Sequence, residues 1–305
     1  MSTLAQSRGF SLLGDLFLHG LTPTARSAWV QVPEAAGHVH ALSEEAGAEA
    51  FTRALHLDLA PFESAFCSED GLVGGVDDVR ALRVRCGLDP AGEGVDHLGT
   101  ELRWMGFLTG AAADAERDSV PVGPVLDLER EVLDHHLLRW LPGLTASLRA
   151  QADAPPLWVW AAGMALDLAV NRRVSLGGVA AGWALPDAVP VLEDPRAGLR
   201  RIAEHLALPS QAGGVLCRST LVQIGRRLDL PAGFGTRADL LEGLLRSAAH
   251  YGRVPQLCEV LDAEVVAWDG VWAGLDGAGL AALSEPWHGR IAATRSLLGR
   301  LGEKR

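Results

Sequence analysis

Apolar residues along this chain recur at helical spacing from end to end, and the strict alternation of a half-buried strand is nearly absent. Phe10, Leu13, Phe17 and Leu21 stand at i, i+3, i+7 and i+11 and predict an amphipathic opening helix, about Arg8 to Leu21. Leu98, Leu102, Met105 and Leu108 repeat the stripe, with Asp96 just ahead of it where an N-cap residue would sit. Leu133, Leu137, Trp140, Leu144 and Leu148 form a third stripe, and Pro142 inside it predicts a kink or a split. Residues 157–169 are apolar on nearly all sides, as expected of a helix sunk in the core. The predicted fold class is all-α.

Between Val174 and Pro195 the helical face disappears and glycines and prolines collect. This divides the chain into a body over residues 1–174, a linker over 175–195 and a smaller appended helical region over 196–305. In that last region helices are expected from about Gly198 to Leu206, after Ser219 as N-cap, and after Thr236. Thr236-Arg237-Ala238-Asp239 imitates a capping box with Asp in place of Glu. Two longer helices are predicted over Leu257–Trp272 and Trp287–Leu301. No repeat of fixed period interrupts this order.

Composition sharpens the picture unevenly. The 305 residues carry a formal charge of −11, but residues 1–194 hold 13 basic and 27 acidic side chains while residues 195–305 hold 14 and 11. An acidic whole disfavours non-specific nucleic-acid binding. Arg226, Arg227, Arg237 and Arg246, on the helices after Ser219 and Thr236, raise a helix-turn-helix reading, for which a near-neutral region is a weak electrostatic footprint. Cys67, Cys86, Cys217 and Cys258 are scattered, form no CxxC pair and fit a reducing compartment. The N-terminus lacks the basic and apolar segments of a signal peptide, and the longest apolar stretch, Pro155 to Leu166, is too short to span a membrane. A soluble, cytoplasmic protein is expected.

Catalytic signatures are missing. There is no HExxH, GxSxG or GxxxxGK[ST], and the glycines of residues 274–279 lie between helices, with no strand before them. His38 and His40 are too close for one helical face, and His135 and His136 point about 100° apart, which argues against a shared metal. Asp96-His97 followed by Glu101 could form an acid–base pair, but no nucleophile stands nearby in sequence. The chain is read as a non-enzyme without cofactor or metal. Nine tryptophans beside a single tyrosine fit core positions; a groove pairing exposed indoles with carboxylates is the alternative.

Several segments then occur in a telling order: Glu63-Ser64-Ala65-Phe66, Gly94–Leu108, His135–Leu144, and Pro156-Leu157-Trp158 opening the buried helix. This succession resembles the TorD/DmsD-like family of maturation chaperones for molybdenum-containing oxidoreductases. The family's Asp-His pair entering a Leu-x-x-Glu-Leu helix is matched by Asp96, His97, Leu98, Glu101 and Leu102. Its later His-Leu-Leu-Pro-Trp-Leu run is matched by residues 136–141, with Arg139 in place of the proline. Gly94-Val95 stand where the family often has a proline, and the resemblance covers about residues 8–173, leaving the region after 195 without a counterpart.

The resemblance implies a TorD-type helical bundle acting as a cytoplasmic chaperone. It would bind the twin-arginine signal peptide or the apo form of a molybdoenzyme precursor and hold it for cofactor insertion before export. The expected peptide-binding residues are Asp96, His97, Glu101, Glu63, Phe66, Trp104, His136 and Trp140. The acidic charge of residues 1–194 agrees in sign with an arginine-bearing partner. The expected partners are that precursor and its signal peptide, not nucleic acid, with a homodimer left open. The alternative is a protein-interaction adaptor of the same fold, serving a different partner through residues 196–305.

Overall fold

The computed structural model describes residues 1–69, 76–91, 94–151, 154–193, 197–231 and 233–303. Helix α1, Thr3–His19, is capped by Ser2 and buries Phe10, Leu13 and Phe17, the stripe predicted for it. Short helices α2 (Pro23–Trp29), α3 (Pro33–His40) and α4 (Glu44–Thr52) follow, the last running into a wide turn over Arg53–Asp58. Next come α5 (Glu63–Cys67), α6 (Asp77–Arg85) and the long α7 (Leu98–Asp118). A methyl group added at Gly99 would stand 2.6 Å from the Gly14 carbonyl oxygen, and one at Gly14 would stand 2.8 Å from that of Gly99. Glycine at both positions therefore lets α1 and α7 cross at backbone contact, and Ser7 Oγ donates to the Gly106 carbonyl at 2.7 Å along the same seam. This crossing fixes the N-terminal end of α7, where the Asp-His pair lies.

Helix α8 (Gly123–Val132) passes through a second wide turn, Leu133–Leu137, into α9 (Leu138–Ala150). Pro142 does not split α9. A proline withholds an N–H from, and crowds, the carbonyl four residues earlier; here that is Leu138, the first residue after the wide turn, so the irregularity is taken up one turn ahead of the proline. Helix α10, Pro156–Ser175, is buried along Leu157, Trp158, Ala161, Ala162, Ala165 and Ala169. The bare alanine stripe lets neighbouring helices pack close, and Trp158 fills the space against Phe17 and Phe51.

Residues 176–193 carry no helix but are fastened to both sides, and residues 194–196, at the end of the expected linker, lie outside the described residues. The Ala181 amide donates to Asp134 Oδ2 at 3.1 Å, and Trp183 Nε1 donates to the Leu283 carbonyl at 3.0 Å. Gln211 bridges the Val189 amide and the Asp187 carbonyl. Beyond lie α11 (Leu199–Ala207), α12 (Pro209–Ala212), α13 (Arg218–Arg227), α14 (Arg237–His250) and the antiparallel pair α15 (Val254–Gly277) and α16 (Ala281–Glu303). The capping box at Thr236 and Asp239 forms as predicted, whereas α13 starts one residue earlier than Ser219, with Cys217 as its N-cap.

The helices after the linker share the core of those before it. Trp272 and Trp287 stack with centroids 5.0 Å apart, Trp287 Nε1 donates to the Arg139 carbonyl at 2.7 Å, and Trp272 reaches Gly143 of α9. None of the nine tryptophans is exposed, which overturns the groove of exposed indoles: each ring fills core or packs along a helix seam.

Candidate functional site

The site begins with a short backbone pairing. Phe62 and His97 form an antiparallel bridge, with the Glu63 amide donating to the Asp96 carbonyl at 3.0 Å and the Leu98 amide to the Pro61 carbonyl at 2.9 Å. Gly94, at φ +69°, makes the turn into this pairing. Asp96 does not cap its own helix. Its Oδ2 accepts from the Ser64 amide at 3.0 Å and from Ser64 Oγ at 2.5 Å, so it caps α5 across the bridge. The N-cap of α7 is His97, whose Nδ1 accepts from the Gly99 amide at 3.1 Å while Phe62 packs edge-on against the ring. The Asp-His dipeptide thus starts two helices at once.

Above this junction the remaining candidates interlock. His136 leaves the wide turn and places Nδ1 2.9 Å from Glu63 Oε2, and Trp140 Nε1 donates to Glu101 Oε2 at 3.1 Å. Phe66 lies 5.4 Å from Trp140 and Trp104 lies 6.1 Å from His136, measured between ring centroids. Burial first, and then the neighbouring Glu63 carboxylate, hold the Glu101 carboxyl well above the usual carboxylate range. Glu63 is paired in turn with His136. The Cys67 thiol at the end of α5 is raised by burial and by Glu63.

All the expected peptide-binding residues therefore meet in one place, but none is exposed: Glu63, Phe66, Asp96, His97, Glu101, Trp104, His136 and Trp140 are all buried. Two of them reach cavities. His136 lines a cavity of about 270 Å³ with Asp78, Leu82, Arg85, Glu131 and Arg139. Trp104 lines another of about 390 Å³ with Leu18, Arg83, Leu88 and the half-exposed Phe107. Helix α6 contributes to both, so it covers the network. Arg85 is bonded to Glu131, and Arg83 stands 5.8 Å over the Trp104 ring.

Sequence reasoning missed the charged pairs that fasten this region. Arg173 is 1% exposed and holds Asp134 with Nε at 2.5 Å and Nη2 at 3.0 Å, and Arg172 holds buried Glu129 at 2.5 Å. Adjacent arginines ending a buried helix were the available signal, since a buried guanidinium requires an acid. Among the described residues no group of three or more His, Cys, Asp or Glu side chains could hold a metal ion, and no helix is long and apolar enough to cross a membrane.

Comparison with known families supplies the rest. Residues 19–146 match the family model of the nitrate reductase delta subunit, a span holding the bridge, the Asp-His pair, α6 and the His136–Trp140 turn. This part of the chain is similar to the nitrate reductase delta subunit family. The family, TorD-like chaperones included, serves the maturation of molybdenum-containing enzymes and has no catalytic activity of its own. The delta-subunit match stops short of α10 and of everything after the linker. No curated protein and no solved structure matches the chain.

Proposed function

We propose that this protein is a cytoplasmic maturation chaperone that binds the twin-arginine leader of a molybdenum-containing oxidoreductase and holds the precursor until its cofactor is in place. The observation that carries the reading is the buried network joining Asp96, His97, Glu63, Glu101 and His136 inside the family-matched span. On this reading the expected peptide-binding residues divide into two roles. His136 and Trp104, which reach the cavities on either face of α6, contact the peptide. Glu63, Phe66, Asp96, His97, Glu101 and Trp140 position those faces from below. The leader's guanidinium groups go to Asp78 and Glu131, the latter in exchange for Arg85, and its apolar stretch goes to Leu18, Leu88 and Phe107.

A cation arriving over this network favours ionised carboxylates, so Glu101 would lose its proton as the leader binds. Isothermal titration of the full chain with a synthetic twin-arginine leader from an oxidoreductase encoded beside it should give a complex. Asp96→Asn and His97→Ala should weaken that complex at least tenfold while the helical circular dichroism is kept. Absence of heat or complex with both the peptide and the full precursor would sink the proposal.

A further inference from the structure

Three arginines are buried among the described residues, and two of them are answered: Arg172 holds Glu129 and Arg173 holds Asp134. The third, Arg290 of α16, is 8% exposed and has no ion pair. Its Nη2 donates to the Pro186 carbonyl, while its Nη1 is buried without a hydrogen-bond partner. Asp187 is the acid whose charge reaches this guanidinium, but burial outweighs it and lowers the pKa. Nδ1 of His205, beside Arg290, is also buried without a partner. Burial and then the Arg290 charge hold that imidazole down to about 4, so His205 stays neutral and brings no second charge. A buried charge without a carboxylate is costly to the fold, and an anion that reaches it supplies what the chain does not.

Arg290 lines an open cavity of about 390 Å³ between α16 and the strap at residues 183–188. Trp183, Leu185, Ala188 and Pro286 supply apolar wall, and the Trp183 indole N–H is already spent on the Leu283 carbonyl. Arg290 is the one cation among the lining residues, and exposed Glu285 is the one carboxylate. We propose that this cavity binds a small carboxylate with an apolar body, a free acid or the end of a peptide chain, its carboxylate meeting the unanswered edge of Arg290. A single guanidinium sharing the cavity with Glu285 favours one negative charge over a phosphate dianion. The volume, near the lower end for ligand cavities, suits a small molecule or a chain end rather than a folded surface. None of these residues lies in the delta-subunit match, so the site is separate from the leader site beneath α6.

Calorimetric titration of the full chain with phenylacetate, with N-acetylphenylalanine, with the amide of each and with phenyl phosphate tests the proposal. The two acids should bind at least tenfold more tightly than their amides and than phenyl phosphate, and the tighter acid tells a free ligand from a chain end. Arg290→Met should lower that affinity at least tenfold without lowering the urea midpoint, because it removes a charge that the chain leaves unpaired. Gly289→Leu, at a position lining the cavity where an added side chain meets open space, should lower it as far with Arg290 still in place. No binding of either acid, amides or phenyl phosphate binding as tightly, or parent-like affinity in either variant would overturn the proposal. So would a fall in the Arg290→Met midpoint as large as that of Arg173→Met, which would show Arg290 to be answered within the fold.

Discussion

Asp134 and His136 leave the same wide turn two residues apart and enter buried clusters of opposite character. Asp134 meets a full set of partners: the fork of Arg173 on both oxygens and the Ala181 amide, with Arg173 Nη1 spent on the Gly177 carbonyl. His136 meets Glu63, which shares its surroundings with a second buried carboxyl, Glu101, whose pKa is pushed up by burial and by that neighbour. The first cluster is closed and fastens α10 and the strap to the turn. The second retains a carboxyl whose ionisation is disfavoured. A buried pair with both carboxylate oxygens answered reads as structure, whereas adjacent carboxyls under one cover point to a site.

The comparison breaks first at Asp134. Asp134→Ala leaves Arg173 charged and unpaired in the core, a loss of about 3–5 kcal/mol. Urea unfolding should show it as a large fall in midpoint. A loss below about 1 kcal/mol would mean that Arg173 finds water or another acceptor, and that the cluster is not closed.

Glu101→Gln sharpens the other side. Gln keeps an acceptor for Trp140 Nε1 and stays neutral at every pH. A carboxyl raised in the folded state adds its full stability below its unfolded range, near the ordinary glutamate value of 4.5, and that contribution is lost as pH rises toward the folded pKa. The variant's urea midpoint should therefore equal that of the parent below pH 4.5 and exceed it increasingly from there upward. Parallel curves across the range would show that Glu101 is ionised in the folded protein. If the withheld charge serves the leader, the same variant also binds the peptide more weakly although it is more stable.

Much of this frame was legible beforehand. The stripes of Phe10–Phe17 and Leu98–Leu108 announce α1 and α7 because a helix needs only local spacing to show its buried face. The capping box at Thr236 is equally local. The Asp-His pair was visible, but not what it does: Asp96 caps a helix 32 residues away through Ser64, and nothing in its own neighbourhood says so. The wide turn at Leu133–Leu137 has no residue signature, and Pro142 drew attention to the wrong turn. The burial of the whole network was hidden because the same residue types suit a binding rim and a satisfied interior. The seam between α9 and α15–α16 joins stretches too distant in sequence for any periodicity to connect.

That seam carries the smallest effect, and it decides which cluster the back of the molecule supports. Trp287→Phe keeps a ring against Trp272 but removes the N–H that meets the Arg139 carbonyl, three residues past His136. One such hydrogen bond contributes about 0.5–1.5 kcal/mol. The carbonyl lies inside α9 and keeps its helical partner, which places the expected loss at the lower end. If the back helices only brace the closed cluster, leader affinity in this variant stays within twofold of the parent while the urea midpoint falls slightly. If affinity falls tenfold for so small a loss, the seam holds the turn that aims His136 at Glu63, and the back helices belong to the receptive cluster.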